Sequence, residues 1–178
     1  PLSLQVGNPR EDRRIVKRSV ANLGGAGDHG AEAMAQLLAD PEDPKRTGRR
    51  RDGRDLIAQW TSKSAGHRYV WNRAGFDAID PSTSPRVLGL FEQSHMQYDL
   101  DRGADPGGEP SLAEMTAKSI DILKRNRNGY LLIVEGGRVD HAHHAGNAAR
   151  ALKDMQAVSE AAALARKVTS EKDTLVIG

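Results

Sequence analysis

Tyr130-Leu131-Leu132-Ile133-Val134-Glu135-Gly136-Gly137-Arg138-Val139-Asp140-His141-Ala142-His143-His144 is the stretch on which the fold of this chain turns. Its first five residues are apolar and rich in β-formers, so they read as a short buried strand. Gly136 and Gly137 end that strand with residues that permit a positive φ or a close backbone approach. The eleven residues from Val134 to His144 then hold two acids and three imidazoles, half of the six histidines in the chain. Carboxylate oxygen and neutral imidazole nitrogen are the mixed ligands of Zn²⁺, and a carboxylate also suits the harder Mg²⁺. Two readings of the cluster stay open on the residues alone. One is a metal site beyond the carboxyl end of a strand, where open α/β sheets bind their ligands; the other is a solvated turn.

The flanking sequence supplies the rest of an α/β unit. Upstream, Ser111 followed three residues later by Glu114 is a capping-box pattern, and Leu112, Met115, Ile120, Ile122 and Leu123 give the helix after it an apolar side. Lys124 and Arg125 suit the negative end of that helix, which delivers the chain into the strand. Downstream, Ala148, Ala151, Leu152, Met155, Val158, Ala162 and Ala165 recur at near-helical spacing and predict a helix from about Asn147 to Lys167, its alanine stripe a packing face. Asp173 to Ile177 reads as a returning strand. Strand, loop, helix and strand make a βαβ unit, right-handed and parallel. Asp140 and His144, four apart, share one side if the loop between them turns helically.

The first half is less regular. Residues 1–39 are undetermined: polar, Arg-rich and glycine-punctuated up to Gly30, they read as irregular, with a short helix over Ala31 to Ala39. Proline and charge mark Asp40 to Gly53 as a linker-like loop. Asp55 caps a short helix reaching Ser62, and Tyr69-Val70-Trp71 and Val87 to Phe91 read as strands. Lys45 to Arg54 holds six basic residues against one acid. No aromatic side chain lies within that run to stack a base, so it reads as a solvated loop and no nucleic-acid partner is expected.

Composition sets outer bounds. The 178 residues, 38% hydrophobic and 4% aromatic, suffice for one domain with a modest core, and the net charge is +2. With no cysteine there is neither disulfide nor thiolate ligand, so zinc here must be held by His and carboxylate. No apolar run approaches the roughly 18 residues of a membrane span, and no signal-like segment stands at Pro1.

Val134 to His144 resembles the metal-binding segment of alkaline phosphatases, the animal-type branch in particular. Arg68-Tyr69-Val70-Trp71-Asn72-Arg73, Gly89-Leu90-Phe91-Glu92, Met96-Gln97-Tyr98 and Pro110-Ser111-Leu112-Ala113-Glu114-Met115 extend the resemblance in the family's order, from about Asp40 to Val176. It implies that residues 40–178 are a partial alkaline phosphatase domain: α/β, part of a parallel sheet flanked by helices, and incomplete. It further implies that Glu135 holds Mg²⁺ and that Asp140 and His144 hold Zn²⁺. His141 and His143 would orient those ligands or reach phosphate through water, the alternative being ordinary surface histidines. A Ca²⁺ site is implied at the Phe91 carbonyl and Glu92, with Glu109 standing about where relatives carry Asp. The alternative is simply charge at a strand end.

The family's serine nucleophile in an Asp-Ser-Ala setting, its upstream metal-bridging Asp, its phosphate-gripping Arg and its downstream Thr-Ala-Asp-His segment have no counterpart among these residues. The sequence therefore reads as an internal fragment that exposes raw sheet edges and supplies no catalytic nucleophile. The resemblance implies small phosphate monoesters as substrates, a homodimeric parent, and a periplasmic, secreted or cell-surface location. Two other readings are a non-enzymatic module for divalent metals and a related metallo-phosphodiesterase or sulfatase.

Overall fold

The computed structural model describes residues 4–7, 22–24, 52, 54–92 and 95–178. In chain order the elements are β1 (Leu4–Gly7), β2 (Asn22–Gly24), α1 (Leu56–Thr61), β3 (His67–Val70), α2 (Arg73–Asp77), β4 (Arg86–Leu90), a 3₁₀ turn (Arg102–Ala104), α3 (Leu112–Leu123), β5 (Leu131–Val134), α4 (Arg138–His144) and α5 (Ala148–Val168). The strands expected at Tyr69 and Val87 are thus present, shifted towards their N-terminal sides. Residues 1–39, expected to be irregular, contain β1 and β2. The helix expected over Ala31–Ala39 lies outside the described residues, as does most of the basic loop.

Three strands form a parallel sheet in the order β2-β4-β3, with Tyr69 opposite Leu88 and Leu23 opposite Gly89. β4 is central and, apart from its first residue Arg86, buried, as a strand covered on both faces must be. Around it, Val70, Phe76, Ile79, Val87, Phe91, Met96, Leu112 and Met115 make the core, and Phe76 meets Phe91 edge to face at 6.1 Å. Helix starts follow their caps. Asp55 Oδ1 accepts from Ala58 N, Asn72 Oδ1 from Gly75 N and Asn147 Oδ1 from Arg150 N. At Ser111 the capping box is complete, because Glu114 N donates to Ser111 Oγ while Ser111 N donates back to Glu114 Oε2. α3 and α5 then pack along each other.

Two expectations about the C-terminal third fail. The sequence placed Tyr130–Val134 in a buried parallel strand, whereas β5 pairs antiparallel with β1, Leu4 opposite Val134, and leaves Leu131 48% and Ile133 49% exposed. An apolar run shows how a strand is built to be covered, but not whether a cover is present. The returning strand at Asp173–Ile177 is also absent. Asp173 N and Thr174 N both donate to Ser170 O, closing a turn after α5, and the last five residues pair with no strand among the described residues. The βαβ unit is therefore not formed among the described residues. No helix among them is long and apolar enough to cross a membrane.

Candidate metal centre

Gly136 answers the question its sequence left open. Its φ is not positive; instead a Cβ built there would collide with Val158 Cγ2 of α5. Glycine is needed so that the end of β5 can lie directly on that helix. The chain then turns into α4, a helix where the sequence read a loop. Gly137 caps it with no side-chain bond, so its support lies elsewhere: Ala142 is fully buried, Asp140 sits in the positive first turn and the histidines in the negative last turn. Gly146, at φ +62°, reverses the chain into α5.

One turn of α4 brings Asp140 and His144 together. Oδ2 and Nε2 stand 3.3 Å apart, both side chains open to solvent. Two ligand atoms each about 2.1 Å from a tetrahedral ion stand about 3.4 Å apart, so this pair fits zinc in donor type and in spacing. His143 does not join them. Its Nδ1 lies 2.7 Å from Val139 O, and a carbonyl only accepts, so Nδ1 carries the proton. His141 instead faces inward, with Arg138 Nη1 at 3.3 Å from its Nδ1 and its ring 4.2 Å from that of His95. Glu135 follows β5 directly and is exposed. Among the described residues, no three His, Asp or Glu side chains gather as a metal cage.

The carboxylates of Glu92 and Glu109, expected near β4, share a hydrogen-bonding partner. Gln97 links them: its backbone N donates to Glu109 Oε2 at 2.9 Å, and its Nε2 donates to Glu92 Oε1 at 2.9 Å. Glu109 is 3% exposed, and burial, added to the nearby charges of Asp105 and Glu92, pushes its carboxyl up to about 8 despite the Gln97 bond. A buried acid crowded by acids is an environment that a cation would relieve. Phe91 contributes a buried ring to the core at this point.

Residues 16–178 match the alkaline phosphatase family model. The chain belongs to the alkaline phosphatase family. It is 42% identical over 146 residues to an alkaline phosphatase of Gadus morhua, covering 77% of this chain and 29% of that protein. To the tissue-nonspecific alkaline phosphatase isozyme of Rattus norvegicus it is 46% identical over 138 residues, 76% of this chain and 26% of the relative. The Homo sapiens isozyme is 41% identical over the same lengths of both. This alkaline phosphatase chain thus spans between a quarter and a third of those relatives. Sequence reasoning quoted Met96-Gln97-Tyr98 without giving it a role, and it missed His95 altogether. The ring contacts of His95 and Tyr98 reach across 40 or more residues, and no local spacing signals that.

Proposed function

We propose that this chain carries part of the metal-binding apparatus of a zinc- and magnesium-dependent phosphate monoesterase, within a partial alkaline phosphatase domain over residues 40–178 and an incomplete parallel sheet. The observation that carries the reading is the 3.3 Å convergence of Asp140 and His144 on one face of α4. These two side chains would hold Zn²⁺, and Glu135, at the end of β5, would hold Mg²⁺. Zinc would supply positive charge against a phosphate oxygen. The chain's own side chains do the remaining work proposed here: Asp140 and His144 fix the ion's place on α4, while His141 directs a ring N–H towards phosphate or its water. His143, tied to Val139 O, steadies the last turn. The Phe91 carbonyl, Glu92 and Glu109 would hold Ca²⁺ and brace the segment between β4 and α3.

Small phosphate monoesters are the substrates this chemistry fits. A homodimeric parent outside the cytoplasm, in the periplasm, secreted or at a cell surface, accords with the family. Because these 178 residues include no Asp-Ser-Ala segment, they are expected to give no turnover of a phosphomonoester on their own.

The test is a Zn²⁺ titration followed by imidazole NMR. Zn²⁺ is expected to shift the His144 ring signals, and Asp140→Ala to abolish the shift. A His144 signal indifferent to Zn²⁺, or equally responsive without Asp140, overturns the assignment.

A further inference from the structure

Tyr98 receives two guanidinium groups from two helices. Arg138, the first residue of α4, sets its Cζ 3.6 Å from the ring centroid, and Arg150, in the first turn of α5, sets its own at 4.6 Å. The main chain at Tyr98 is anchored, because Asp101 N and Arg102 N both donate to its carbonyl, at 2.8 and 2.9 Å. Arg150 is separately tied to Asp101 at 2.8 Å. Arg138 Nε is buried without a hydrogen-bond partner among the described residues, its Nη1 lies 3.3 Å from His141 Nδ1, and its charge also acts on the Asp154 carboxyl.

That last contact has a chemical consequence. Arginine only donates, so His141 Nδ1 must accept, and a neutral His141 carries its proton on Nε2. The ring then presents a donor at Nε2 and no lone pair for an ion. The guanidinium that sets this tautomer is the one lying on Tyr98. A seven-residue helix is also too short to hold its own shape, and α4 lacks a side-chain cap. Buried Ala142 and the Arg138 contact with Tyr98 are two of the points that hold it.

We propose that Tyr98 is a positioning residue for α4: acting through Arg138, it sets the placement of Asp140 and His144 and turns the His141 ring so that Nε2 donates. This rests on the zinc reading of Asp140 and His144. Nothing in the sequence spacing of Tyr98 and Arg138 announces it.

The test compares the whole chain with its Tyr98→Phe, Tyr98→Leu and Arg138→Met variants, using Co²⁺ as the probe and paramagnetic broadening of the His144 ring signals as the readout. Tyr98→Leu and Arg138→Met are each expected to raise the half-broadening Co²⁺ concentration about tenfold, the size of a well-placed cation–π contact. Tyr98→Phe keeps the ring face and is expected to stay within about twofold of wild type. Amide exchange at Ala145, whose N–H donates to His141 O at 3.0 Å, is expected to quicken in the Leu and Met variants and not in Phe. A Leu variant that binds Co²⁺ like wild type overturns the proposal, as does a Phe variant as impaired as Leu. Should Tyr98→Leu fail to fold, Arg138→Met decides the matter in the same way. Co²⁺ that leaves His144 untouched in wild type removes the zinc reading itself, and the role of Tyr98 with it; normal binding in wild type and Leu alike removes Tyr98 alone.

Discussion

Replacing Gly136 by alanine tests how tightly the metal segment is pressed onto α5. The added methyl would overlap Val158 Cγ2, and Val158 cannot simply swing away, because a β-branched side chain in a helix has one strongly preferred rotamer. Either Val158 leaves that rotamer or β5 and α5 separate, and overpacking of this kind costs about 1–3 kcal/mol. Against it, alanine lowers the entropy of the unfolded chain and returns about 0.4–1 kcal/mol. The expected net loss is about 1–2 kcal/mol, read as a lower urea midpoint at unchanged m-value. Val158→Ala removes the obstructing methyl. The double variant is therefore expected to be more stable than the sum of the two single losses, by about 1 kcal/mol or more. Gly136→Ala at the wild-type midpoint, or strictly additive losses in the cycle, would refute the claim that glycine is required here for closeness.

Further outcomes follow from the carboxylates and the caps. The folded state keeps the Glu109 proton up to about pH 8, well above the usual carboxylate value of 4.5, so between those limits it binds more protons than the unfolded chain and stability falls as pH rises. Urea midpoints across that window are expected to decline in wild type and to flatten in Glu109→Gln; an equal decline in both would place the cause elsewhere. Ser111→Ala removes the acceptor for Glu114 N and is expected to cost about 1 kcal/mol by chemical denaturation, a loss that an unchanged midpoint would disprove.

What could be read from the sequence was local. Ser111 and Glu114 are three residues apart and found each other; Asp140 and His144 are one turn apart and did the same. The alanine periodicity after Asn147 was long enough to mark α5 to within a residue or two. The surroundings of β5 were not legible. Leu131-Leu132-Ile133-Val134 has the same composition whether its neighbour is a parallel strand or, as here, an antiparallel one drawn from residues 4–7. The segment after α5 looked like a strand by β-propensity, yet it pairs with none of the described strands, because propensity does not decide whether a segment reaches an edge. Tyr98 illustrates the other limit. Its partners Arg138 and Arg150 are distant in sequence, and a guanidinium over a ring leaves no periodic trace.

The bare outer surface of β5 matters at the bench as well as in the fold. Leu131 and Ile133, alternate residues on one face of β5 and each about half exposed, form an apolar strip of the kind one polypeptide uses to recruit the next into stacked cross-β layers. Stocks of this chain therefore keep best dilute and cold, and a lysine in place of Ile133 would act as a gatekeeper against fibril growth.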